Sequence, residues 1–132
     1  MNVDEIQNRR QKLDSITDKI IGCVYNVSNR LGCGFLEKVY ENALTMELRK
    51  QGLNVKKQHP IKVKYDGVIV GEFAADLLIE EGVLVELKAA TALADSHMSQ
   101  CLNYVKATRL SVCLLVNFGR PKAEIKRIVN NF

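Results

Sequence analysis

The sequence predicts a mixed α/β domain (an α+β fold with a mixed sheet) whose elements follow the order α-α-β-β-β-α-β-β. Three observations support this prediction. Apolar residues recur at helical spacing before residue 52 and again after residue 93. Between these segments the period changes to two, which is typical of half-exposed strands. Near the end of the chain, an almost wholly apolar run is typical of a strand covered on both faces.

The first helix is predicted from about residue 15 to residue 31. Residues 1–14 are polar and are expected to form a frayed or solvent-facing lead-in. Ser15 and Asp18 resemble a capping box. The apolar stripe that follows is formed by Ile16, Ile20, Val24, Val27 and Leu31.

The second helix is predicted from about residue 36 to residue 51. A Gly-Cys-Gly turn at 32–34 separates it from the first helix, and Gly52 is its expected C-cap. Its predicted apolar stripe consists of Leu36, Val39, Ala43, Leu44 and Leu48.

Three strands are predicted next, joined by two tight turns. The first contains the alternating residues Ile61 to Tyr65, and Asp66-Gly67 is a strong hairpin turn. The second strand is predicted over 68–79 and the third over 83–89, with the Glu80-Glu81-Gly82 turn between them.

The last part of the chain is predicted to contain a helix and two strands. The helix is expected over about 94–107, with Met98, Cys101, Leu102 and Val105 on its buried side. A buried strand follows over 111–117, and Gly119-Arg120-Pro121 ends it. Residues 125–129 can form a last edge strand.

Composition places the chain among single-domain globular proteins. Its 132 residues are expected to form one domain, 1–132, with 47% apolar and 26% charged residues. We expect no signal peptide and no membrane partner, and hence a cytoplasmic location. The four cysteines lack metal-binding spacing, so reduced and mostly buried thiols are expected. A net charge of +4 permits an anionic partner without requiring one.

The segment from Asp76 to Lys88, D-L-L-I-E-E-G-V-L-V-E-L-K, contains the main candidate site. On a strand Glu86 and Lys88 share one face, and the hairpin brings Asp76 level with them. Two carboxylates and an ammonium group then converge beside Leu, Val and Ile, where an unpaired charge is costly. An ion pair at a strand end would explain the same residues.

Two further pairs are candidates for contact with a ligand. Gln100 and Tyr104 are four residues apart on the predicted third helix, and His97 lies one turn earlier on the same side. Glu37 and Tyr40 are three residues apart at the start of the second helix, where the helix dipole favours an acidic residue. A solvated helix face and a helix-stabilising charge are the alternative explanations.

These motifs together resemble the GxxExxY family of the PD-(D/E)XK nuclease superfamily, which has a restriction-endonuclease-like core. The resemblance spans 18–129 and includes an Asp on the second strand followed by E-x-K on the third. Gln100 to Tyr104 matches the Q-x-x-x-Y pattern of the RecB-like and lambda-exonuclease-like branches. The remaining matches are Gly34-Phe35-Leu36-Glu37-Lys38-Val39-Tyr40, Tyr65-Asp66-Gly67, Ala75-Asp76-Leu77-Leu78, Val85-Glu86-Leu87-Lys88 and Leu115-Val116-Asn117-Phe118-Gly119.

The resemblance implies hydrolysis of phosphodiester bonds with Mg²⁺ or Mn²⁺ as cofactor. Asp76, Glu86 and the main-chain carbonyl of Leu87 would be metal ligands, and Glu37 is a further candidate. Lys88 would act with Asp76 and Glu86 in catalysis. Substrate-positioning roles are implied for Gln100, Tyr104, Tyr40 and His97.

Nucleic acid is the implied partner, DNA in preference to RNA, and a homodimer is compatible with nucleases of this size. Contacts to its backbone are expected from the basic residues Lys56, Lys57, Lys62, Lys64, Arg120, Lys122, Lys126 and Arg127. A solvated basic surface would explain the same residues. The alternative function is a catalytically weak or inactive module that binds nucleic acid or another partner and keeps the nuclease fold.

The sequence departs from the family pattern at two places. The first helix has Asn26-Val27-Ser28 where a Glu-Val-His-like triplet is common, and Cys33 replaces the usual Pro or Ala between the glycines. If that Glu or His contributed to the site, catalysis here would be weak or absent.

Overall fold

Three helices and five strands follow one another in the predicted order in the computed structural model, which describes residues 2–130. The helices are α1 (Val3–Leu31), α2 (Glu37–Lys50) and α3 (Asp95–Thr108). The strands are β1 (Val55–Tyr65), β2 (Val68–Ile79), β3 (Val83–Lys88), β4 (Val112–Asn117) and β5 (Glu124–Val129). The predicted mixed α/β fold is therefore confirmed.

The five strands form one sheet in the order β1-β2-β3-β4-β5. Neighbouring strands are antiparallel except β3 and β4, which pair in parallel and are joined through α3. This arrangement makes β3 the central strand. Five of its six residues are buried, as are all six of β4.

The sheet lies between two helical layers. On one face, α1 and α2 pack against a cluster that includes Val83, Val85 and Leu87. On the other face, α3 packs against a cluster that includes Leu84 and Leu115. Because successive residues of a strand point to opposite faces, Glu86 and Lys88 belong to the α3 side.

The hairpin of β1 and β2 extends beyond the rest of the sheet. β2 pairs with β3 only through Leu77–Ile79, whereas β1 and β2 pair along almost their whole length. We call residues 60–74 the hairpin arm. Its turn is Asp66-Gly67, where φ values of 50° and 76° give the predicted type of tight hairpin turn.

Helix α1 begins at Val3, so the expected frayed lead-in was wrong for residues 3–14, while Met1 lies outside the described residues. Asn2 Oδ1 accepts a hydrogen bond from the Glu5 N–H at 2.8 Å, and the Glu5 carboxylate accepts one from the Asn2 N–H. This capping box, rather than the one expected at Ser15, starts the helix. The segment is mostly solvent-facing, as predicted.

Helix α2 buries only part of the predicted stripe. Leu36 is 81% exposed and precedes the helix, whereas Tyr40, Leu44 and Leu48 are fully buried. The C-cap of α2 is Gln51, and Gly52, the predicted C-cap, is the next residue. Gly52 has φ 79° and donates its N–H to the Arg49 carbonyl, while the next N–H returns to Leu48, which is the Schellman arrangement.

Other sequence expectations are met within a residue or two at element ends. Cys23, Cys101 and Cys113 are buried and Cys33 is exposed, in agreement with the prediction that most of the thiols are buried. Within residues 2–130, no helix combines the length and apolarity that crossing a bilayer requires.

Candidate active site

The candidate site forms where β1 and β2 change which face they bury. Val55 and Leu77 belong to the cluster on the α1–α2 side, whereas Ile61 and Ala75 belong to the cluster under α3. An even spacing along a regular strand would keep each pair on one face. The switch occurs at Gln58, whose φ of 52° is in the left-handed region; Gln58 and Asp76 lie between the pairs Lys57–Leu77 and His59–Ala75.

At this switch the β2–β3 ladder ends and side chains replace its main-chain hydrogen bonds. The Leu87 N–H donates to Asp76 Oδ2 at 2.7 Å, and the Asp76 N–H donates to Glu86 Oε1 at 2.9 Å. Each carboxylate is thus held by the main chain of the other strand. The hairpin brings Asp76 and Glu86 together, as the sequence predicted.

The Leu87 carbonyl lies on the same side of β3 as Asp76. In a strand, the N–H and C=O of one residue project toward the same neighbour, and the Leu87 N–H points to Asp76. Leu87 also lines a cavity of about 240 Å³ together with Glu37, Gln58 and Asp76. An oxygen of the main chain is therefore available beside the two carboxylates.

The end of β3 is held firmly against the end of β4. The Lys88 carbonyl accepts a hydrogen bond from the Phe118 N–H at 2.8 Å. The buried Asn117 amide accepts from the Ala90 N–H and donates to the Ala90 carbonyl, both at 2.9 Å. Lys88 is half-buried, two residues from Glu86 and on the same face of the strand.

Burial and the neighbouring charge of Asp76 raise the pKa of Glu86 to about 7. Glu86 is only 4% exposed, so desolvation disfavours its anionic form. The charge of Glu37 acts in the same direction, whereas Lys88 and the Asp76 N–H favour the anion. Two close carboxylates with so large a shift are typical of a site suited to a cation.

The donor set fits a hard divalent cation that keeps part of its water shell. Two carboxylates and a carbonyl offer oxygen ligands, which Mg²⁺ and Mn²⁺ prefer. Among residues 2–130, no three His, Cys, Asp or Glu side chains lie close enough to form a metal cluster by themselves. Glu37, the first residue of α2, is exposed and lines the same cavity.

Two residues of the site were missed by the sequence reasoning. Gln58 Nε2 donates to Glu41 Oε1 at 2.6 Å and to Asp76 Oδ1 at 3.3 Å. Glu41 is 4% exposed, and its carboxylate also contacts Lys38 at 2.6 Å and Lys57 at 3.6 Å. These partners lower the pKa of Glu41 despite its burial. The left-handed Gln58 has no sequence signal, because nothing local demands it.

Tyr40 links the turn before α2 to the end of β3. Its hydroxyl donates to the Gly32 carbonyl at 2.7 Å and accepts from the Phe35 N–H at 3.2 Å. Its ring stacks on Phe118, with centroids 4.6 Å apart and planes 4° from parallel. Because Tyr40 has no exposed surface, direct contact with a substrate does not fit this arrangement, and its contacts are structural.

The predicted polar side of α3 is only partly exposed. Tyr104 is 6% exposed and belongs to the buried cluster beneath α3, while its hydroxyl accepts from Gln100 Nε2 at 2.9 Å. Burial, followed by the charge of Glu86, raises the pKa of Tyr104. The Tyr104 hydroxyl therefore lies within electrostatic reach of Glu86 and Asp76. His97 Nδ1 accepts a hydrogen bond from the Ala94 N–H at 3.1 Å, so this nitrogen already has a partner at the start of α3.

The residues that depart from the family pattern lie elsewhere. Asn26 donates to Glu47 Oε2 at 2.9 Å, between α1 and α2. The buried Ser28 hydroxyl accepts from the Ala123 N–H at 3.2 Å, beside β5. Neither contact involves Asp76, Glu86 or Lys88.

Some of the basic residues predicted to contact nucleic acid form ion pairs within the protein, whereas others line a groove. Ion pairs connect Lys56 to Glu81 at 2.5 Å, Arg120 to Glu124 at 3.9 Å, and Arg127 to Asp14 at 2.7 Å. Lys57 pairs with Glu41, and Lys122 lies 5.5 Å from the centroid of Tyr25. Lys62 and Lys64 line a groove beside α3.

Comparison with known proteins relates this chain to nucleases. The family model of the PD-(D/E)XK nuclease superfamily matches residues 14–128. An alkaline exonuclease (LHK-Exo) from Laribacter hongkongensis is similar in structure, with TM-score 0.53 and 14% identity, over 71% of this chain and 56% of the exonuclease. The protein SSO0001 gives TM-score 0.54 and 14% identity, over 73% of this chain and 51% of that protein. This chain thus spans little more than half the length of either. No curated protein matches significantly.

Proposed function

The chain belongs to the PD-(D/E)XK nuclease superfamily, and from this premise we propose that it hydrolyses phosphodiester bonds of DNA with the help of a divalent cation. The observation that carries the proposal is a pair of hydrogen bonds where the β2–β3 ladder ends. The Asp76 carboxylate accepts from the main chain of β3, and the Glu86 carboxylate accepts from the main chain of β2. That arrangement fixes two carboxylates side by side, with an ammonium group two residues further along. On the motifs around Gly34–Tyr40 we assign the chain to the GxxExxY family.

Asp76, Glu86 and the Leu87 carbonyl would hold the cation, Mg²⁺ or Mn²⁺, and water would fill the rest of its shell. Glu37 would join through water. When bound, the cation supplies charge that stabilises the phosphate oxygens of the transition state. Gln58 would hold Asp76 in position, because its amide donates to the Asp76 oxygen that does not contact Leu87.

Lys88 would act on the attacking water. Its half-buried ammonium group shares a face with Glu86 and lowers the pKa of that carboxyl, so it lies within electrostatic reach of the site. As an ammonium group it would orient the water and offset negative charge that develops on the phosphate, and only as the neutral amine would it accept the proton of the water. The hydrogen bond from Phe118 to the Lys88 carbonyl keeps the end of β3 in place.

Gln100 and Tyr104 would position the phosphate or a neighbouring nucleotide from the border of the carboxylate site. Structural similarity to the alkaline exonuclease supports a nucleic-acid substrate. DNA in preference to RNA, a cytoplasmic location and a homodimer stay predictions.

The test is cleavage of labelled DNA and RNA, single-stranded and duplex, in Mn²⁺. We expect Lys88→Ala to reduce the cleavage rate by about two to four orders of magnitude, because a general-base or charge-stabilising group is lost. Asp76→Asn should abolish cleavage through loss of cation binding. Gln100→Ala should cause a smaller loss.

Two variants serve as controls for this experiment. Glu72→Gln removes an exposed carboxylate from the same strand as Asp76, and Lys12→Ala removes an exposed lysine from α1. Both should cleave like the wild type. Cleavage that survives Asp76→Asn and Lys88→Ala would overturn the proposal. Absence of cleavage by the wild type, with DNA binding retained, would favour the inactive binding module.

A further inference from the structure

A groove of about 1180 Å³ lies between α3 and the hairpin arm. Its walls come from two sides, with Lys62, Lys64 and Phe73 on the arm and Asn103 and Lys106 on α3. The volume exceeds the roughly 300–1,000 Å³ of pockets for single small molecules. The groove is thus large enough for a chain of several units.

The groove is positively charged. Four cationic side chains line it, Lys62, Lys64, Lys106 and Arg109, and no Asp or Glu is among the described residues of its lining. None of the four forms an ion pair with the described residues, in contrast to Lys56, Arg120 and Arg127. This charge favours a polyanion, and with a net charge of +4 it disfavours a second copy of the chain.

An aromatic ring lies open on the wall of the groove. Phe73 is 52% exposed although it is a large apolar residue. One edge of it contacts Tyr104, with centroids 5.9 Å apart and planes at 44°. Gly71 leaves room for the ring, since a Cβ there would lie 3.2 Å from Phe73 Cε2. The strand and Tyr104 therefore hold Phe73 in place.

At Tyr104 the groove comes within electrostatic reach of the carboxylate site. Gln100 and Tyr104 belong to its lining, Gln100 donates a hydrogen bond to the Tyr104 hydroxyl, and the charges of Glu86 and Asp76 act on that hydroxyl. One end of a polymer that lies in the groove would therefore be close to the candidate catalytic residues.

We propose that this groove binds a single strand of nucleic acid, with one base stacked on Phe73 and phosphates contacted by Lys62, Lys64, Lys106 and Arg109. The proposal rests on the proposed function, and it specifies the substrate as an unpaired strand. Aromatic stacking needs a free base face, which a duplex does not present. Asn103 and Gln100 line the groove on the α3 side, where they would contact base edges or sugars of the bound strand.

The direct test uses fluorescence, because the chain has no tryptophan. Phe73→Trp introduces a single reporter at the proposed stacking position, and Tyr65→Trp introduces one elsewhere on the same arm, where Tyr65 is 71% exposed and outside the groove lining. Single-stranded DNA in a metal-free buffer should quench the emission of Phe73→Trp and leave that of Tyr65→Trp unchanged. Duplex DNA of the same sequence should quench neither.

Equilibrium binding gives a second measurement. Phe73→Ala should weaken single-strand binding by about 5- to 150-fold, the cost of one lost stacking contact. Phe73→Tyr should restore it and Tyr65→Ala should leave it unchanged. Lys62→Gln and Lys106→Gln should each lower the salt slope of binding by about 0.7, with Lys12→Gln as the control.

Equal quenching of both tryptophan variants, or equal affinity for duplex and single strand, would overturn the groove proposal. Unchanged binding by Phe73→Ala would do the same, even if the wild type cleaves DNA and the proposed function stands. Conversely, stacking at Phe73 in a protein that cleaves nothing would support the groove and contradict the nuclease proposal. Hydrogen–deuterium exchange of the arm in Phe73→Ala, compared with the wild type, verifies that the arm is folded in these comparisons.

Discussion

Glu86 combines two properties that rarely occur together in one carboxyl. It is almost fully buried on the central strand, yet it faces another carboxylate instead of a permanent partner cation. Its pKa of about 7 is the consequence. In the metal-free protein, therefore, Glu86 is largely protonated below neutral pH, and a bound cation must displace that proton.

This shift makes stability depend on pH. Between about pH 4.5 and 7, folded Glu86 keeps a proton that the unfolded chain has lost, so the free energy of unfolding falls as pH rises through this window. Glu86→Gln keeps the acceptor for the Asp76 N–H and removes the titration. We expect this variant to be more stable than the metal-free wild type above pH 7, by at most about 3 kcal/mol.

The measurement is thermal unfolding in a metal-free buffer across this pH window. Below about pH 4.5, where Glu86 is protonated in both states, the difference between variant and wild type should disappear. Glu72→Gln, on an exposed position of β2, should show no such dependence. A constant difference at all pH values would show that Glu86 titrates normally.

Gly119 shows how element ends fix the site. A Cβ at this position would overlap the main chain of Ala90, which the Asn117 amide holds in place with two hydrogen bonds. The φ of Gly119 is not in the left-handed region, so the requirement is space alone. Lys88 precedes Ala90 by two residues, and any shift at Ala90 also moves the end of β3.

We expect Gly119→Ala to destabilise the protein by about 3 kcal/mol, because main-chain atoms must move to accept the methyl group. The matched control is Gly22→Ala, in the middle of α1, where nothing lies within 4 Å of the added Cβ. That change should stabilise the helix by about 0.5–1 kcal/mol. Denaturant unfolding of both variants measures the contrast. Equal stability of the two would contradict the close approach at Ala90.

At the level of elements, sequence reasoning succeeded where local signals decide the structure. Asp66-Gly67 and Gly52 specify their turns through the backbone conformation they favour, and the boundaries of β2 follow directly from the turns around it. The start of α1 was wrong because a capping Asn and helix-favouring polar residues need no apolar stripe to form a helix. In α2 the burial of Leu44 and Leu48 was predicted correctly, whereas the burial of Tyr40 was missed. Tyr40 is buried by its contacts with Phe118, which is distant in sequence, and with Gly32 in the preceding turn.

The same distinction applies to the site. Asp76, Glu86 and Lys88 could be predicted because one hairpin contains all three. Gln58 and Glu41 could not, since their contacts depend on a left-handed residue beside Asp76 and on the packing of α2 against β1. The groove at Phe73 was also missed, because the extent of the hairpin beyond β3 is a property of sheet pairing.

For the whole molecule, cation binding should couple to stability. A ligand that binds only the folded state raises the free energy of unfolding by about 2.7 kcal/mol when its concentration is 100 times its Kd. We expect Mn²⁺ to raise the Tm of the wild type and of Glu72→Gln, and to leave Asp76→Asn unchanged. The measurement is thermal unfolding across a Mn²⁺ titration. An equal rise in Asp76→Asn would place the cation at another site.

The extension of the hairpin arm beyond β3 divides the molecule into regions of different opening energy. Amides of β3 and β4 lie in the middle of the sheet, and their hydrogens should exchange with solvent only when the whole domain unfolds. Amides of residues 61–74 are protected chiefly by pairing within the arm, so they should exchange through local opening. Hydrogen–deuterium exchange should therefore show slow amide exchange in the strands that carry the carboxylates and fast amide exchange in the hairpin arm. One wall of the groove could then adapt to a bound strand while Asp76 and Glu86 keep their geometry.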